Sequence, residues 1–223
     1  MSGTRRAAQQ LPLDLGHRRA MGREDFLVSP ANAEAVAWID RWPDWQPPGI
    51  VLTGPPGCGK THLSEVWRVR AHAEYVGGQA LKAGIPPPPA LVVDDAQRAS
   101  EPALLALYNT ARAAGAWLLL NAPEAPARWG TRLPDLRSRL GTLPVVAIDP
   151  PDEALLTGVL LKHFADRQLP VPPEVVTYLA ARIERSFAAA ARAATLLDQL
   201  ALSRQRPPSV PLAREVVETM AAP

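Results

Sequence analysis

The eight residues from Gly54 to Thr61 have the types and the spacing of a phosphate-binding loop. They read Gly-Pro-Pro-Gly-Cys-Gly-Lys-Thr and match all the fixed positions of that pattern, which an ordinary Gly/Pro-rich turn would do only by chance. Glycines let backbone N–H groups surround phosphates, and the helix that follows adds the positive end of its dipole. Lys60 is predicted to reach the β- and γ-phosphates, and the Thr61 hydroxyl to bind Mg²⁺. The loop therefore predicts a site for a purine nucleoside triphosphate.

Two carboxylates, Asp94 and Asp95, follow the wholly apolar run 90–93. A carboxylate at the end of a strand beside a phosphate loop can hold Mg²⁺ through its water shell, which is the role predicted for Asp94. Asp95 is then placed to orient the attacking water. The alternative is that the pair only starts a turn. The phosphate loop 33 residues upstream favours the metal site.

Hydrophobic periodicity indicates the elements that must position these groups. Short apolar runs that alternate with helical patterns are typical of a parallel sheet covered by helices on both faces. We predict strands at 50–53, 90–93, 117–120 and 145–148, and helices at 31–42, 60–75 and 101–114, with a Pro- and Arg-rich loop after the third strand. Beyond residue 150 only helices are predicted, at 152–167, 172–182, 185–204 and 211–221. The predicted domains are a flexible tail over 1–24, an α/β nucleotide-binding domain over 25–150 and a small all-helical domain over 151–223.

Composition narrows the class of protein. No run approaches the ~18 apolar residues of a membrane span, so we expect a soluble protein with no membrane partner. Cys58 is the lone cysteine and is interpreted as a small residue of the loop, which fits a cytoplasmic, reducing compartment. The net charge is +2, but residues 1–23 carry +4, so the remainder is slightly acidic. This balance argues against direct sequence-specific DNA binding by the folded part.

Three segments together resemble the initiator branch of the AAA+ superfamily, typified by DnaA and its truncated relative Hda. They are Gly-Pro-Pro-Gly-Cys-Gly-Lys-Thr-His-Leu at 54–63, Leu-Val-Val-Asp-Asp-Ala-Gln at 91–97, and Asp-Leu-Arg-Ser-Arg-Leu at 135–140 followed by Ile-Asp-Pro-Pro at 148–151. The segment 25–32 is similar to the one that lines the adenine pocket in this family. The resemblance implies a P-loop AAA+ core with a helical lid, binding ADP or ATP with Mg²⁺. The nucleotide contacts that it implies are Gly54, Pro55, Pro56, Gly57, Cys58, Gly59, Lys60, Thr61, His62, Phe26, Leu27, Val28, Asn32 and Arg185.

The same resemblance implies roles for three further side chains. Asn121 matches the sensor 1 residue that contacts the γ-phosphate or the lytic water, although Asn-Ala-Pro is also an ordinary turn. Arg139 matches the arginine finger that reaches a neighbouring subunit's nucleotide, with a solvated surface arginine as the alternative. Arg185 matches sensor 2, a role for which Arg182 and Arg192 are also candidates. The residues assigned to catalysis are therefore Asp95, Asn121 and Arg139.

The N-terminal tail contains Gln-Leu-Pro-Leu-Asp-Leu at 10–15. This hexapeptide resembles the motif by which bacterial proteins dock on the replication sliding clamp, the β subunit of DNA polymerase III. An extended peptide of this kind presents spaced leucines as apolar anchors and the glutamine as a directional hydrogen-bonding group. The predicted clamp contacts are Gln10, Leu11, Leu13, Asp14 and Leu15.

These features predict a regulatory AAA+ protein, tethered to the clamp, that stimulates ATP hydrolysis by DnaA and inhibits re-initiation of replication. Its own ATPase would be weak at most, and its place would be the nucleoid or replisome in the bacterial cytoplasm. The alternatives are an ATP-driven helicase loader or motor, and a non-catalytic nucleotide-binding scaffold at the clamp. The sequence leaves open whether ADP or ATP is the working ligand and whether the chain self-associates.

Overall fold

The computed structural model describes residues 27–84 and 86–221. Phe26 and the clamp-type motif at 10–15 therefore lie outside the described residues. Five strands are formed: Gly49–Thr53 (β1), Glu74–Gly77 (β2), Ala90–Asp94 (β3), Trp117–Ala122 (β4) and Val145–Ala147 (β5). The α-helices of this part are Ala33–Asp40 (α1), Lys60–Ala71 (α2), Glu101–Ala114 (α3), Pro134–Leu140 (α4), Glu153–Asp166 (α5), Pro173–Ala180 (α6), Phe187–Arg204 (α7) and Val210–Ala221 (α8).

The strands form one parallel sheet in the order β2-β3-β4-β1-β5. β1 is fully buried and β3 and β4 nearly so, which is why each is a continuous apolar run. Because all strands run the same way, their carboxyl ends meet at one edge of the sheet. Thr53 pairs with Ala122 there, and Gly77 pairs with Asp94. This edge carries the phosphate loop and the Asp94 carboxylate.

Helices α2 and α4 and strands β2 and β4 differ from the prediction. Helix α2 ends at Ala71, where His72 adopts a left-handed conformation (φ 50°), and the chain then enters strand β2. The periodicity predicts a helix to residue 75, because β2 lies at the edge of the sheet and lacks the apolar run that would mark it as a strand. Helix α4 has only seven residues, begins at Pro134, and was predicted as part of a loop. Strand β4 also runs two residues further than predicted, which places Asn121 within the strand.

Helices α5 to α8 pack around an apolar core of their own, which includes Leu160, Leu179, Leu197 and Val216. The sheet is covered by two other apolar clusters, one on each face. All five strands precede Ile148, and helices α5 to α8 follow it; the order was predicted from the sequence except for β2. The boundary at residue 150 stays a prediction. Within the described residues, no helix has both the length and the apolar character needed to cross a membrane.

Helix α2, which carries the end of the phosphate loop, is anchored by aromatic packing and by one arginine. The ring of Trp67 stacks on Trp45 with centroids 5.3 Å apart, and Trp42 meets it edge-on at 6.2 Å. The Arg70 guanidinium donates to the carbonyl oxygens of Ile39, Asp40 and Trp42 at the end of α1. Unpaired carbonyls at a helix end are satisfied in this way. The loop is therefore built on a firmly packed helix.

Candidate nucleotide-binding site

The phosphate loop runs from the end of β1 to the start of α2, as the sequence predicts. Gly54 has φ 150°, and a Cβ atom there would lie 2.3 Å from the carbonyl oxygen of Ile148. Gly59, with φ 105°, is the residue before the first turn of α2. Such conformations favour glycine. Gly54 is therefore required by its backbone conformation and by the close approach of Ile148, and Gly59 by its backbone conformation.

Lys60 lies in the first turn of α2 and its ammonium group folds back over the loop. It donates hydrogen bonds to the carbonyl oxygens of Gly54 and Pro55, the latter at 2.9 Å. The Thr61 side chain is exposed, and His62, which follows it, is half-buried. This places the charge of Lys60 at the mouth of the loop, where it could meet a phosphate.

Cys58 fills the interior of the loop. Its side chain is buried, and the Lys60 Nζ atom lies 3.7 Å from Sγ. Burial raises the pKa of the Cys58 thiol above its ordinary value, although the nearby Lys60 charge acts in the opposite direction. A neutral buried thiol behaves as a small apolar residue. The structure thus agrees with the interpretation of Cys58 as a packing residue.

The helical region touches the loop directly at Gly57. The backbone N–H of Phe187 donates to the carbonyl oxygen of Gly57 at 2.8 Å. Gly57 has φ 73°, and a Cβ atom there would lie 2.8 Å from Cβ of Ser186 and 3.6 Å from Cβ of Ala188. Ser186 itself caps α7 by accepting from the Ala189 N–H. The amino end of α7 is therefore fixed against the phosphate loop.

A hydrogen-bonded chain of four side chains crosses the carboxyl edge of the sheet. Asp94 accepts from the Asn121 amide at Oδ1 (3.1 Å) and from the Tyr75 hydroxyl at Oδ2 (2.8 Å). The Asn121 oxygen accepts from the Ser64 hydroxyl at 2.9 Å. Ser64 lies one turn after Lys60 in α2. The chain thus joins three neighbouring strands to the helix that follows the loop.

Asp95, the second acid, has a different environment. It adopts a left-handed conformation (φ 51°) just after β3. Its carboxylate is exposed and lies 3.4 Å from the Arg98 guanidinium and 3.3 Å from the Gln97 amide. The sequence predicts that Asp95 orients water. Here the carboxylate is held by its own neighbours in the chain.

Residues 27–32 form a compact turn beside the start of α1. The buried Asn32 side chain donates to the carbonyl oxygen of Leu27 and accepts from the Ser29 N–H, both at 2.9 Å. Leu27 and Val28 are exposed, and Cδ1 of Leu27 would be 3.4 Å from a Cβ atom at Gly158 of α5. The three described members of the predicted adenine pocket thus belong to one turn that adjoins α5.

Three arginines were candidates for sensor 2, and they lie differently. A cavity of about 480 Å³ lies between the loop and helices α6 to α8, and Arg182 and Arg192 line it together with Pro56 and Gly57. The residue that faces Gly57 from α7 is Ala188. All three arginines are exposed, and Arg185 is absent from this lining. Which of them acts as sensor 2 stays a prediction.

Arg139 is exposed in the last turn of α4. Its guanidinium carbon lies 5.9 Å from the ring centroid of Tyr108 in α3. The Tyr108 hydroxyl bonds to Thr142 at 2.9 Å, and Thr142 donates to the carbonyl oxygen of Arg139. No ion pair or hydrogen bond of the Arg139 guanidinium is formed with any residue in 27–84 or 86–221. The cation is therefore exposed and has the Tyr108 ring as its described neighbour.

The entry to α4 is fixed by the Glu101 carboxylate. It accepts from the backbone N–H groups of Arg132 and Leu133 at 2.9 and 2.7 Å. These two bonds hold the pKa of Glu101 below its ordinary value. Glu101 belongs to α3, as does Tyr108, which bonds to Thr142 just after α4. Helix α3 therefore contacts the chain at both ends of α4.

The oxygen atoms of Thr61 and Asp94 suit Mg²⁺, which proteins bind through one or two carboxylates together with substrate phosphates. In the described part of the chain, no three His, Cys, Asp or Glu side chains are grouped as a metal site. A metal at this edge would accordingly depend on a nucleotide for most of its remaining ligands. It would neutralise phosphate charge there.

No family model and no curated protein matches the sequence. The fold has clear counterparts among solved structures. Domain III of the replication initiation protein DnaA from Thermotoga maritima superposes with a TM-score of 0.79 at 17% identity, covering 96% of this chain and 100% of that domain. The chain has the fold of DnaA domain III. The predicted fold class, a parallel sheet between helices followed by a small all-helical region, is confirmed.

Two further structures show the range of the AAA+ fold. AMPPCP-bound DnaA from Aquifex aeolicus has a TM-score of 0.70 at 19% identity, covering 85% of this chain and 69% of that one. RuvB from Thermotoga maritima, described as a Holliday junction branch migration motor, has a TM-score of 0.62 at 16% identity, covering 77% and 61%. Identities this low establish the fold alone. The function has to be argued from the site.

Sequence reasoning missed Ser64, Tyr75, Glu101 and Tyr108. Ser64 carried a usable signal, because it stands four residues after Lys60 and so lies on the same side of α2. Tyr75 carried none, since the strand that holds it was not predicted. Glu101 and Tyr108 act through contacts with residues more than 30 positions away, which a local pattern does not reveal.

Proposed function

We propose that this chain binds ADP or ATP with Mg²⁺ at the phosphate loop. Lys60 would bind the phosphates, Thr61 and Asp94 would hold the metal, and the turn at 27–32 would contact the base. AMPPCP is bound by the DnaA of the same fold from Aquifex aeolicus, which supports an adenine nucleotide. The lid contact at Gly57 gives the loop a direct route by which the nucleotide would set the position of α7.

We further propose that the chain is a regulator that acts on a DnaA-type initiator instead of turning over ATP rapidly itself. The observation that carries this proposal is Arg139, exposed at the end of α4 with its guanidinium carbon 5.9 Å from the centroid of the Tyr108 ring. A cation supplied to a neighbouring subunit's nucleotide stabilises the transferring phosphoryl group and can raise the rate by ~10³–10⁵. Asp95, bonded to Arg98 and Gln97, fits slow hydrolysis at the chain's own site. The expected result in the cell is conversion of DnaA–ATP to DnaA–ADP and fewer initiations.

The tail motif at 10–15 would dock this regulator on the sliding clamp. Tethering raises the effective concentration of the partner to about the millimolar range for a short flexible link. It would confine the activity to newly replicated DNA in the bacterial cytoplasm. The slightly acidic remainder of the chain supports recognition of proteins over direct reading of DNA sequence.

The test measures ATP hydrolysis by DnaA on clamp-loaded DNA with wild type, Arg139→Ala or Arg137→Ala. Arg137 is a matched control, because it is also an exposed arginine of α4 but lies outside the contact with Tyr108. Acceleration by wild type and by Arg137→Ala, with loss in Arg139→Ala, is expected. Equal activity of all three proteins would contradict the role of Arg139.

Clamp docking is tested separately by Leu13→Ala with Leu15→Ala. This double variant should lose binding to the clamp and keep nucleotide binding, because the proposed nucleotide contacts lie at other positions of the chain. Clamp affinity measured by surface plasmon resonance decides the matter. Undiminished binding would remove the tail from the mechanism.

A non-catalytic scaffold at the clamp is the second candidate function. The hydrogen bonds from Gln97 and Arg98 to the Asp95 carboxylate favour the scaffold. If Asp95 does not orient a water molecule, the site can bind a nucleotide without hydrolysing it. A scaffold predicts that Arg139→Ala is silent while Lys60→Ala is not. A helicase loader or motor would instead hydrolyse ATP rapidly by itself, which a simple phosphate-release assay detects.

A further inference from the structure

Helix α3 holds the short helix α4 at both of its ends. Before α4 begins, the Glu101 carboxylate accepts from the backbone N–H groups of Arg132 and Leu133. After α4 ends, the Tyr108 hydroxyl bonds to the Thr142 hydroxyl at 2.9 Å. Glu101 and Tyr108 lie about two turns apart on the same helix. The position of α4, which has only seven residues, is therefore fixed by its neighbour.

The backbone of Arg139 is tied to the second of these contacts. Its carbonyl oxygen, near the end of α4, accepts from the Thr142 hydroxyl at 2.7 Å and from the Thr142 N–H at 3.1 Å. A hydroxyl group has one proton, and that of Thr142 is used in the bond to Arg139. The Tyr108 hydroxyl is therefore the donor in its bond to Thr142. Hydrogen bonds thus run in one direction from Tyr108 through Thr142 to Arg139.

The side chain of Arg139 meets the same tyrosine. Its guanidinium carbon lies 5.9 Å from the centroid of the Tyr108 ring, within the range over which an aromatic ring attracts a cation. The ring is only 2% exposed and belongs to the apolar cluster that contains Leu136 and Leu140 of α4. Within the described residues, the exposed Arg139 guanidinium forms no ion pair or hydrogen bond. A fixed ring is therefore the contact that can limit where this guanidinium points.

We propose that the ring of Tyr108 positions the guanidinium of Arg139 for delivery to the nucleotide of a neighbouring subunit. The proposal rests on the function proposed above, in which Arg139 acts on a DnaA-type initiator. An arginine side chain loses much rotamer freedom when it enters a site, and a side chain that is already restricted loses less. Tyr108 is accordingly a positioning residue that acts through Arg139.

The experiment measures ATP hydrolysis by DnaA on clamp-loaded DNA while the concentration of this protein is raised to saturation. It compares wild type with Tyr108→Leu, Tyr108→Phe and Arg139→Ala. Tyr108→Phe is the matched control, because it removes the same hydroxyl as Tyr108→Leu and keeps the ring. Circular dichroism establishes that each variant is folded.

Each titration gives a maximum rate and a half-saturating concentration, and the two separate positioning from a general structural effect. A variant that is partly unfolded needs a higher concentration to reach the same maximum rate. A cation that is directed wrongly lowers the maximum rate itself, because it stabilises the transition state less well.

Tyr108→Leu should lower the maximum rate by about two- to fivefold, the range that corresponds to a cation–π contact at an exposed site. Tyr108→Phe should match wild type, because the ring stays in place and the Thr142 N–H still holds the Arg139 carbonyl oxygen. An unchanged maximum rate in Tyr108→Leu, or equal losses in both Tyr108 variants, would overturn the positioning while leaving the role of Arg139 intact. Equal rates with wild type and Arg139→Ala would overturn the proposed function and this proposal together.

Discussion

Removing the Asn121 side chain would leave the Ser64 hydroxyl buried without its acceptor. Asn121 is 1% exposed and Ser64 is 3% exposed, and the two are joined by a bond of 2.9 Å. An unsatisfied buried polar group costs about 1–3 kcal/mol, and the lost bond to the charged Asp94 adds to that cost. We therefore expect Asn121→Ala to lower the free energy of unfolding by roughly 2–4 kcal/mol.

A double-mutant cycle with Ser64→Ala isolates the buried contact. In the double variant both partners are absent, so no hydroxyl or amide oxygen is stranded. The bond to Asp94 is lost in Asn121→Ala and in the double variant alike, so its contribution cancels. The double variant should be destabilised by about 1–2 kcal/mol less than the sum of the two single variants.

Urea unfolding followed by tryptophan fluorescence measures this coupling. Trp45 and Trp67 stack against each other beside α2, so the signal reports on the helix that carries Ser64. Losses that add within about 0.3–0.5 kcal/mol would refute the reasoning. In that case water, and not Ser64, satisfies the Asn121 amide.

Three other predictions concern the loop and its supports. Gly57→Ala and Gly130→Ala both place a side chain at positive φ (73° and 67°), which costs about 1–2 kcal/mol, but only position 57 also meets Ser186. Gly57→Ala should therefore show the lower melting temperature and weaker nucleotide binding; equal losses would contradict the lid contact. The native Cys58 thiol should react slowly with a disulfide reagent at pH 8 and rapidly in urea, since burial raises its pKa; equal rates would show that the thiol is open. The pKa of Glu101 is lowered in the folded state, so the stability that its carboxylate contributes is present above pH 4.5 and is lost as the pH falls through the lowered pKa. Glu101→Gln should therefore make the urea midpoint depend less on pH across that range. An unchanged dependence on pH would contradict this reasoning.

The strands that carry the site could be predicted because they are buried on both faces. Runs such as 90–93 are apolar at every position, and the loop at 54–61 is constrained residue by residue. Strand β2 could not be predicted in this way, because an edge strand shows a mixed pattern that also suits the end of a helix. Tyr75, which lies in β2, could therefore not be identified as a site residue either.

Roles that depend on where a side chain points could not be predicted from the sequence either. Motif spacing identified Asn121 and Asp94 separately, but only the sheet register shows that they bond to each other. The sequence offers Arg182, Arg185 and Arg192 alike, and only the structure shows that Arg182 and Arg192 line the cavity beside the loop. Long-range contacts decide such questions, and local patterns do not contain them.

The hydrogen bond from the Phe187 N–H to the Gly57 carbonyl oxygen joins the phosphate loop to the amino end of α7. One carbonyl group of the phosphate loop is thus also the hydrogen-bond acceptor that holds the first residue of α7. Any rotation of that peptide unit during ligand entry must lengthen this bond or carry α7 with it. Because α7 is packed into the apolar core that it shares with α5, α6 and α8, any shift of α7 would have to be shared by that whole helical region.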